Sequence, residues 1–381
     1  MEKIIFLDYE TLQILWWLFL GVILIGFAVM GGSDLGVAAL LRWAGRNDSQ
    51  HRIIINTIAP VWEGNQVWLI LGVGAILAAF PPLYAVAFSS FYGPLLLILI
   101  ALVVRPVAIK YRSKNDDRRW RSAWDWALVI GGVIPPFLIG VALGNVLIGL
   151  PFYFDEDLRS FFEGSALGLL SPFAMLCGIL ALSMTLMHGA VYLALKTDGE
   201  IQARARHATV AAALLSIALF TVAGLWTAFG MDGYVLTRSG ALVGVDGLID
   251  TTVERETGAW LSNYGTLWPI LIPLVAYAGA LSTIAAALRR RFAVAWATSA
   301  ASVAGVIGTF GAATFPFILP SSIDPGASLT IWNSSSSHLA LFLLFLVTIV
   351  LLPIVIAYTT WVFRIMRGKI DEEFIKGDSA Y

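Results

Sequence analysis

Charge is what this sequence has least of. Of its 381 residues only 13% are Asp, Glu, Lys or Arg, against roughly a quarter in soluble domains. With 59% hydrophobic residues and a mean hydropathy of +0.82, an ordinary soluble fold is excluded and a polytopic membrane protein is expected. Cysteine is nearly absent as well. The single Cys177 sits in an apolar run, which excludes an intrachain disulfide, a cysteine metal site and thiol redox chemistry within the chain. Histidine is scarce: His51, His207 and His338 fall near the ends of apolar runs and only His188 lies inside one. A lone histidine of that kind reads as hydrogen-bonded packing rather than as a haem ligand. The stretch Met1 to Gln13 has no basic n-region and no small-residue cleavage site, so the first apolar run reads as a retained span. The net charge of −1 carries little information, because a membrane protein sorts its charges by side. No nucleic-acid partner is expected.

Long apolar runs are what remains. Nine are long enough to cross a bilayer as helices: about Ile14 to Leu41, Ile53 to Phe80, Tyr84 to Val107, Ser122 to Ile148, Leu167 to Leu195, Ala208 to Phe229, Leu267 to Leu288, Ala293 to Phe317 and Leu339 to Phe363. The loops test this count. Taken alternately, one set holds 20 of the 24 Lys and Arg residues, and the other holds only Lys3, Arg159, Arg238 and Arg255. By the positive-inside rule the N-terminus is then periplasmic and the C-terminus cytoplasmic, which requires an odd number of spans. The fold class expected is an all-α integral membrane protein of nine transmembrane helices. It is one membrane domain, 1–381, with four helices in about 1–148, four in 149–317, and a ninth peripheral helix with a cytoplasmic tail in 318–381. Tryptophans near span ends, such as Trp16, Trp17, Trp120 and Trp361, read as interface anchors. The outer acids Asp155, Glu156, Asp157, Glu163, Asp246, Asp250, Glu254 and Glu256 have no histidine beside them and read as solvated surface.

Of the 25 Asp and Glu residues only Asp34, Glu63 and Asp125 fall within spans. An ionisable group in the hydrocarbon layer costs a few kcal/mol on insertion scales, so each needs a partner or a use. Glu63 belongs to the stretch Asn56 to Trp68, where Asn56, Pro60, Glu63 and Gln66 or Val67 are spaced to line one face of a continuous helix. Pro60 lacks an N–H, which frees the carbonyl of Asn56 in the same file. Asn65 and Gln66 add amides that orient water. Glu63 is the deepest acid, and desolvation is expected to make it a proton carrier near neutral pH. Arg105, before a Pro106 read as ending the third span, is the expected countercharge for Asp34 or Asp125. Together these residues outline a wet path from the cytoplasm to the midplane. A proton- or cation-coupled transporter and a purely structural scaffold subunit remain as alternatives from these residues alone.

The stretch Trp62-Glu63-Gly64-Asn65-Gln66-Val67-Trp68, preceded by Arg46-Asn47-Asp48 and Asn56, resembles the hallmark of subunit II of cytochrome bd-type quinol oxidases, the cyanide-insensitive branch included. The likeness continues in order through Asp8-Tyr9-Glu10, Trp16-Trp17, Arg105-Pro106, Tyr111-Arg112-Ser113-Lys114, Trp124-Asp125-Trp126, Gly144-Asn145, Gly258-Ala259-Trp260, Phe315-Pro316-Phe317, Pro320-Ser321-Ser322 and Ser328-Leu329-Thr330. The chain departs at Gly31, Ser33 and Val61, where many relatives carry an aspartate, an aromatic and a histidine. The resemblance implies a terminal oxidase subunit in the bacterial inner membrane that ligates no haem itself. Haems b and d would lie in a partner subunit I, ubiquinol would be the substrate of the complex, and quinone, lipid and a small accessory transmembrane peptide would be further partners. It also implies a proton path through positions matching Glu63, Asp34, Arg105 and Asp125.

Overall fold

Asp8 caps the longest helix of the protein, its carboxylate accepting from the Thr11 backbone N–H at 2.9 Å. The computed structural model describes residues 6–238, 251–366 and 368–371. Lys3, Asp246, Asp250 and the tail beyond 371 lie outside the described residues. The helices in chain order are α1 (Tyr9–Ala44), α2 (Asp48–Ile58), α3 (Trp62–Ala79), α4 (Pro81–Ser90), α5 (Tyr92–Tyr111), α6 (Arg118–Ile148), α7 (Pro172–Lys196), α8 (Gly199–Phe229), α9 (Leu267–Leu288), α10 (Phe292–Thr314) and α11 (His338–Ile365). Among the described residues eight are long and apolar enough to cross a membrane, and α2 with α3 makes a ninth, bent by 50°.

The bundle is built around α1, which packs against α3, α6, α7, α10 and α11. Small residues allow this. A Cβ on Gly36 would lie 2.1 Å from the Thr185 carbonyl, so α1 and α7 touch backbone to backbone where Gly36 faces Gly189. Among the described residues the loops of the two charge classes lie at opposite ends of the bundle. At the basic end Arg204 donates to the Ala44 carbonyl at 2.6 Å, and Lys196 bonds to the Met366 carbonyl. At the other end lie three antiparallel strand pairs: Phe152–Phe154 with Ser160–Phe162, Asp232–Arg238 with Thr252–Thr257, and Phe317–Leu319 with Leu329–Thr330. They are stitched to the helices by Trp260 Nε1 on Leu147 O (3.0 Å) and Tyr234 Oη on Ile148 O (2.9 Å). These strand pairs were not expected from the hydropathy pattern, being too short to register in it. The outer acids Asp155 and Asp157 pair with Arg159 at 2.9 and 2.6 Å.

Three expected boundaries are corrected. The stretch Ile53 to Phe80 is two helices that part at residues 59–61, because Pro60 cannot continue the backbone ladder. The run Tyr84 to Val107 is divided between α4 and α5 near Phe91. Pro106 does not end its helix: α5 continues through it to Tyr111.

Candidate functional site

Asp34 lies ten residues from the end of α1, which places it about 15 Å inside the bundle. It is 1% exposed, in a run of small buried residues, Gly31, Gly32 and Ser33. Asn65, on the inner face of α3, donates to Asp34 Oδ2 at 2.9 Å. Arg105 reaches the same interior from α5, and its stem lies along Gly131 of α6, where a Cβ would stand 2.5 Å from Arg105 Cγ. Arg105 and Asp34 attract each other electrostatically, yet no hydrogen bond or ion pair within 4 Å joins them. Asp34 Oδ1 and Arg105 Nε have no hydrogen-bond partner among the described residues. The expected pairing of Arg105 with Asp34 is therefore a long-range one.

Glu63 is not buried. The first turn of α3 turns it outward, and Glu63, Val67, Ile70, Gly74 and Leu77 form one exposed stripe at helical spacing. The opposite stripe, Asn65, Trp68, Gly72 and Ala79, is buried. Asn56 does not share the face of Glu63, as a straight helix would require. The 50° bend tucks α2 into the protein, where Asn56 is 2% exposed and its amide donates to the Arg52 carbonyl at 2.8 Å. Pro60 stays on the outer side with Glu63. Gln66 is half-buried, and neither its side chain nor that of Glu63 makes a hydrogen bond among the described residues.

Asp125 is bound elsewhere than expected. Its partner is Arg112, with Nε at 2.5 Å, and His51 Nδ1 lies 2.9 Å from its other oxygen. Arg112 also reaches Asp48 at 2.9 Å, which in turn holds Arg121 at 2.8 Å. This network ties the start of α2 to the turn between α5 and α6. Arg105 takes no part in it, because α5 runs two turns past Arg105 before Arg112 is reached. The partners missed from sequence were thus Arg112, His51, Asp48 and Arg121, although Arg112 and Asp48 both lie in stretches that resemble the family.

The buried His188 has both ring nitrogens engaged, Nδ1 with Ser299 Oγ at 2.7 Å and Nε2 with the Val29 carbonyl at 3.0 Å. Among the described residues no group of three or more His, Cys, Asp or Glu side chains converges as a metal-ligand set. An apolar cavity of about 500 Å³ opens between α1, α6, α7, α8 and α10, lined by residues such as Phe27, Leu143, Met184, Phe220 and Phe310. Tyr264 closes one side and donates to the Thr309 carbonyl at 2.8 Å; burial pushes its phenol up to about 12, so it remains a neutral donor.

Comparison with known proteins places this geometry. Residues 12–366 match the family model of cytochrome bd terminal oxidase subunit II. The chain is 45% identical over 372 residues to the cytochrome bd-I ubiquinol oxidase subunit 2 of Escherichia coli K12, covering 97% of this chain and 98% of that one. It is 30% identical over 366 residues to the cytochrome bd ubiquinol oxidase subunit 2 of Bacillus subtilis 168, covering 95% and 98%. A chain of the solved bd oxidase of Geobacillus thermodenitrificans has the same fold, with a TM-score of 0.70 at 19% identity over 93% of this chain and 98% of that one. With the family model and the relatives matching nearly end to end, the chain belongs to the cytochrome bd terminal oxidase subunit II family.

Proposed function

We propose that this chain conducts protons from the basic end of its bundle toward the oxygen-reducing haem of a partner subunit, with Glu63 as the relay at the boundary. As a family member it is a multi-pass protein of the bacterial inner membrane and a subunit of a terminal oxidase, a quinol:oxygen oxidoreductase that works with a subunit I. On our reading the basic end is cytoplasmic, haems b and d belong to subunit I, and the substrate of the complex is ubiquinol, as the name of the Escherichia coli relative states for that protein. The single domain divides into α1 to α6 carrying the polar residues, α7 to α10, and α11 at the edge against α1 and α3.

The observation that carries the proposal is the exposed carboxylate of Glu63 on an otherwise apolar stripe. Facing lipid at that depth would cost a few kcal/mol, so a stripe bearing an acid is suited to contact with protein rather than hydrocarbon. Reducing oxygen to water consumes protons, and a haem buried in subunit I needs a route for them. Asp34, Asn65 and Arg105 lie one helix layer inward from Glu63, and the unused hydrogen-bonding capacity of Asp34 Oδ1 and Arg105 Nε suits a relay through mobile protons. Asp125, salt-bridged to Arg112, anchors the entrance rather than carrying protons itself. Gln66 and Asn56 flank the path. The placement of haem in the partner agrees with His188, whose two nitrogens are spent within the protein. The apolar cavity has the size and lining for a lipid or quinone tail.

The test is Glu63→Gln in the intact oxidase. A positioned proton-transfer group contributes roughly 10²–10⁴-fold, so the variant should assemble with a normal haem spectrum yet lose most quinol-driven oxygen consumption. Glu63→Asp should keep part of it. Wild-type turnover of Glu63→Gln between about pH 6 and 8 would assign the residue a structural role instead.

A further inference from the structure

We infer that Tyr192 is a positioning residue for the Glu63 relay: by holding the Thr57 carbonyl, its hydroxyl fixes the bend between α2 and α3 from which the helix bearing Glu63 starts. The inference rests on the relay reading above and adds to it a residue of α7, 129 positions along the chain from Glu63.

In a continuous helix the N–H of residue 61 would bond to the carbonyl of residue 57, and that of residue 60 to the carbonyl of residue 56. Pro60 has no N–H to give. The Val61 N–H turns instead to the Ile58 carbonyl at 3.1 Å, which strands the Thr57 carbonyl at the break. In a membrane interior an unpaired carbonyl is costly, so the break persists only with another donor. Tyr192 supplies it from α7, with Oη 3.1 Å from Thr57 O. The tyrosine is itself held in place. It is 2% exposed, its ring meets Phe363 of α11 edge-on with centroids 6.3 Å apart, and the Lys196 ammonium lies 5.9 Å from its centroid. Asp34 is close enough for its charge to act on the same side chain.

Two arrangements therefore compete for one carbonyl. In the bent form Tyr192 takes Thr57 O and the Val61 N–H takes Ile58 O. In a straight form the Val61 N–H would take Thr57 O, and Tyr192 would be the group left over. The bend tucks Asn56 inward while α3 keeps Asn65 on Asp34 and Glu63 outside. Straightening would swing α2 relative to α3 and disturb the spacing between Asp34, Asn65 and Glu63 on which proton transfer depends. Removing the hydroxyl alone shifts the balance toward the straight form without altering any acid on the path.

The experiment uses the intact oxidase carrying Tyr192→Phe, measured beside Glu63→Gln and Pro60→Ala. Tyr192→Phe should keep wild-type haem content and quinol KM. Its kcat should fall about three- to tenfold, the range that one lost hydrogen bond carries. The solvent-deuterium isotope effect on kcat should rise, and amide exchange across residues 56–66 should quicken. Pro60→Ala restores the missing N–H and should reproduce the slower kcat and larger isotope effect from the other side of the break; it decides the matter if Tyr192→Phe does not assemble. Unchanged kcat and isotope effect in Tyr192→Phe, with or without faster exchange, would make the tyrosine mere packing and overturn the inference. If that happens while Glu63→Gln is inactive, only the role of Tyr192 falls. Full activity in Glu63→Gln overturns the relay reading itself.

Discussion

Asn65 donates its side-chain amide to Asp34 across the contact of α3 with α1, at 2.9 Å and with both groups sealed from solvent. This is the one side-chain hydrogen bond that Asp34 makes among the described residues, its second oxygen having no protein partner. Asn65→Leu should therefore destabilise the chain by about 1–3 kcal/mol, the cost of leaving a buried polar group unsatisfied. Asn65→Asp should be worse, since it sets a second carboxyl against the first. Thermal unfolding of the assembled oxidase, followed by loss of the haem spectrum, ranks the two; equal stability of all three proteins would show that the bond contributes nothing.

Arg112 and Arg105 should behave as opposites. Arg112 is 2% exposed and holds both Asp125 and Asp48, so Arg112→Leu leaves the buried Asp125 carboxylate with His51 alone, at a cost of about 3–5 kcal/mol, and should sharply reduce the amount of assembled oxidase. Arg105→Leu breaks no ion pair within 4 Å and should assemble more fully while turning over more slowly. Haem per milligram of membrane protein measures the first effect, and oxygen consumption per haem the second. Pairing Arg112→Leu with Asp125→Leu should recover part of the lost assembly, because the stranded charge is removed with its partner.

The contrast shows what a sequence of this kind discloses. Span number and the two charged ends were legible, because hydropathy and loop charge are summed over many residues and tolerate local error. The break at Pro60 was legible as a lost backbone bond. Its consequence was not, because the donor that captures the freed Thr57 carbonyl is Tyr192, 135 residues away. Arg105 and Arg112 are two helical turns apart on α5 and the turn after it, and with Pro106 read as a stop only Arg105 was named as the countercharge, which is the wrong one for Asp125. Glu63 was legible as an acid inside a span, but burial was inferred from depth alone. Which way the first turn of α3 faces is decided by Asn65 and Trp68 packing on α1.

His188 gives a clean test of where the haem iron is held. Its two nitrogens bind Ser299 and the Val29 carbonyl, joining α7 to α10 and α1. Glutamine keeps a donor and an acceptor at similar reach. His188→Gln should leave haem content and the spectrum of the assembled oxidase unchanged, with at most a modest loss of thermal stability of about 1 kcal/mol. Loss of one haem band from a complex that still assembles would place an iron ligand in this chain.

The exposed stripe of α3 should separate a protein interface from a lipid-facing surface. Ile70 is 66% exposed and lies two turns from Glu63 on the same face, while Leu281 of α9 is 58% exposed on the far side of the bundle. Lipid tails adapt to a larger side chain, but a packed helix interface does not, and overpacking typically costs about 1–3 kcal/mol per site. Ile70→Trp should therefore insert into the membrane normally yet recover less subunit I when this chain is pulled down. Leu281→Trp, equally large and equally apolar, should recover it at the wild-type level. The pair controls for expression and hydrophobicity, so the difference between them reports the interface alone. If both variants bring down subunit I equally well, the stripe faces lipid, and the carboxylate of Glu63 has no protein to hand its proton to on that side.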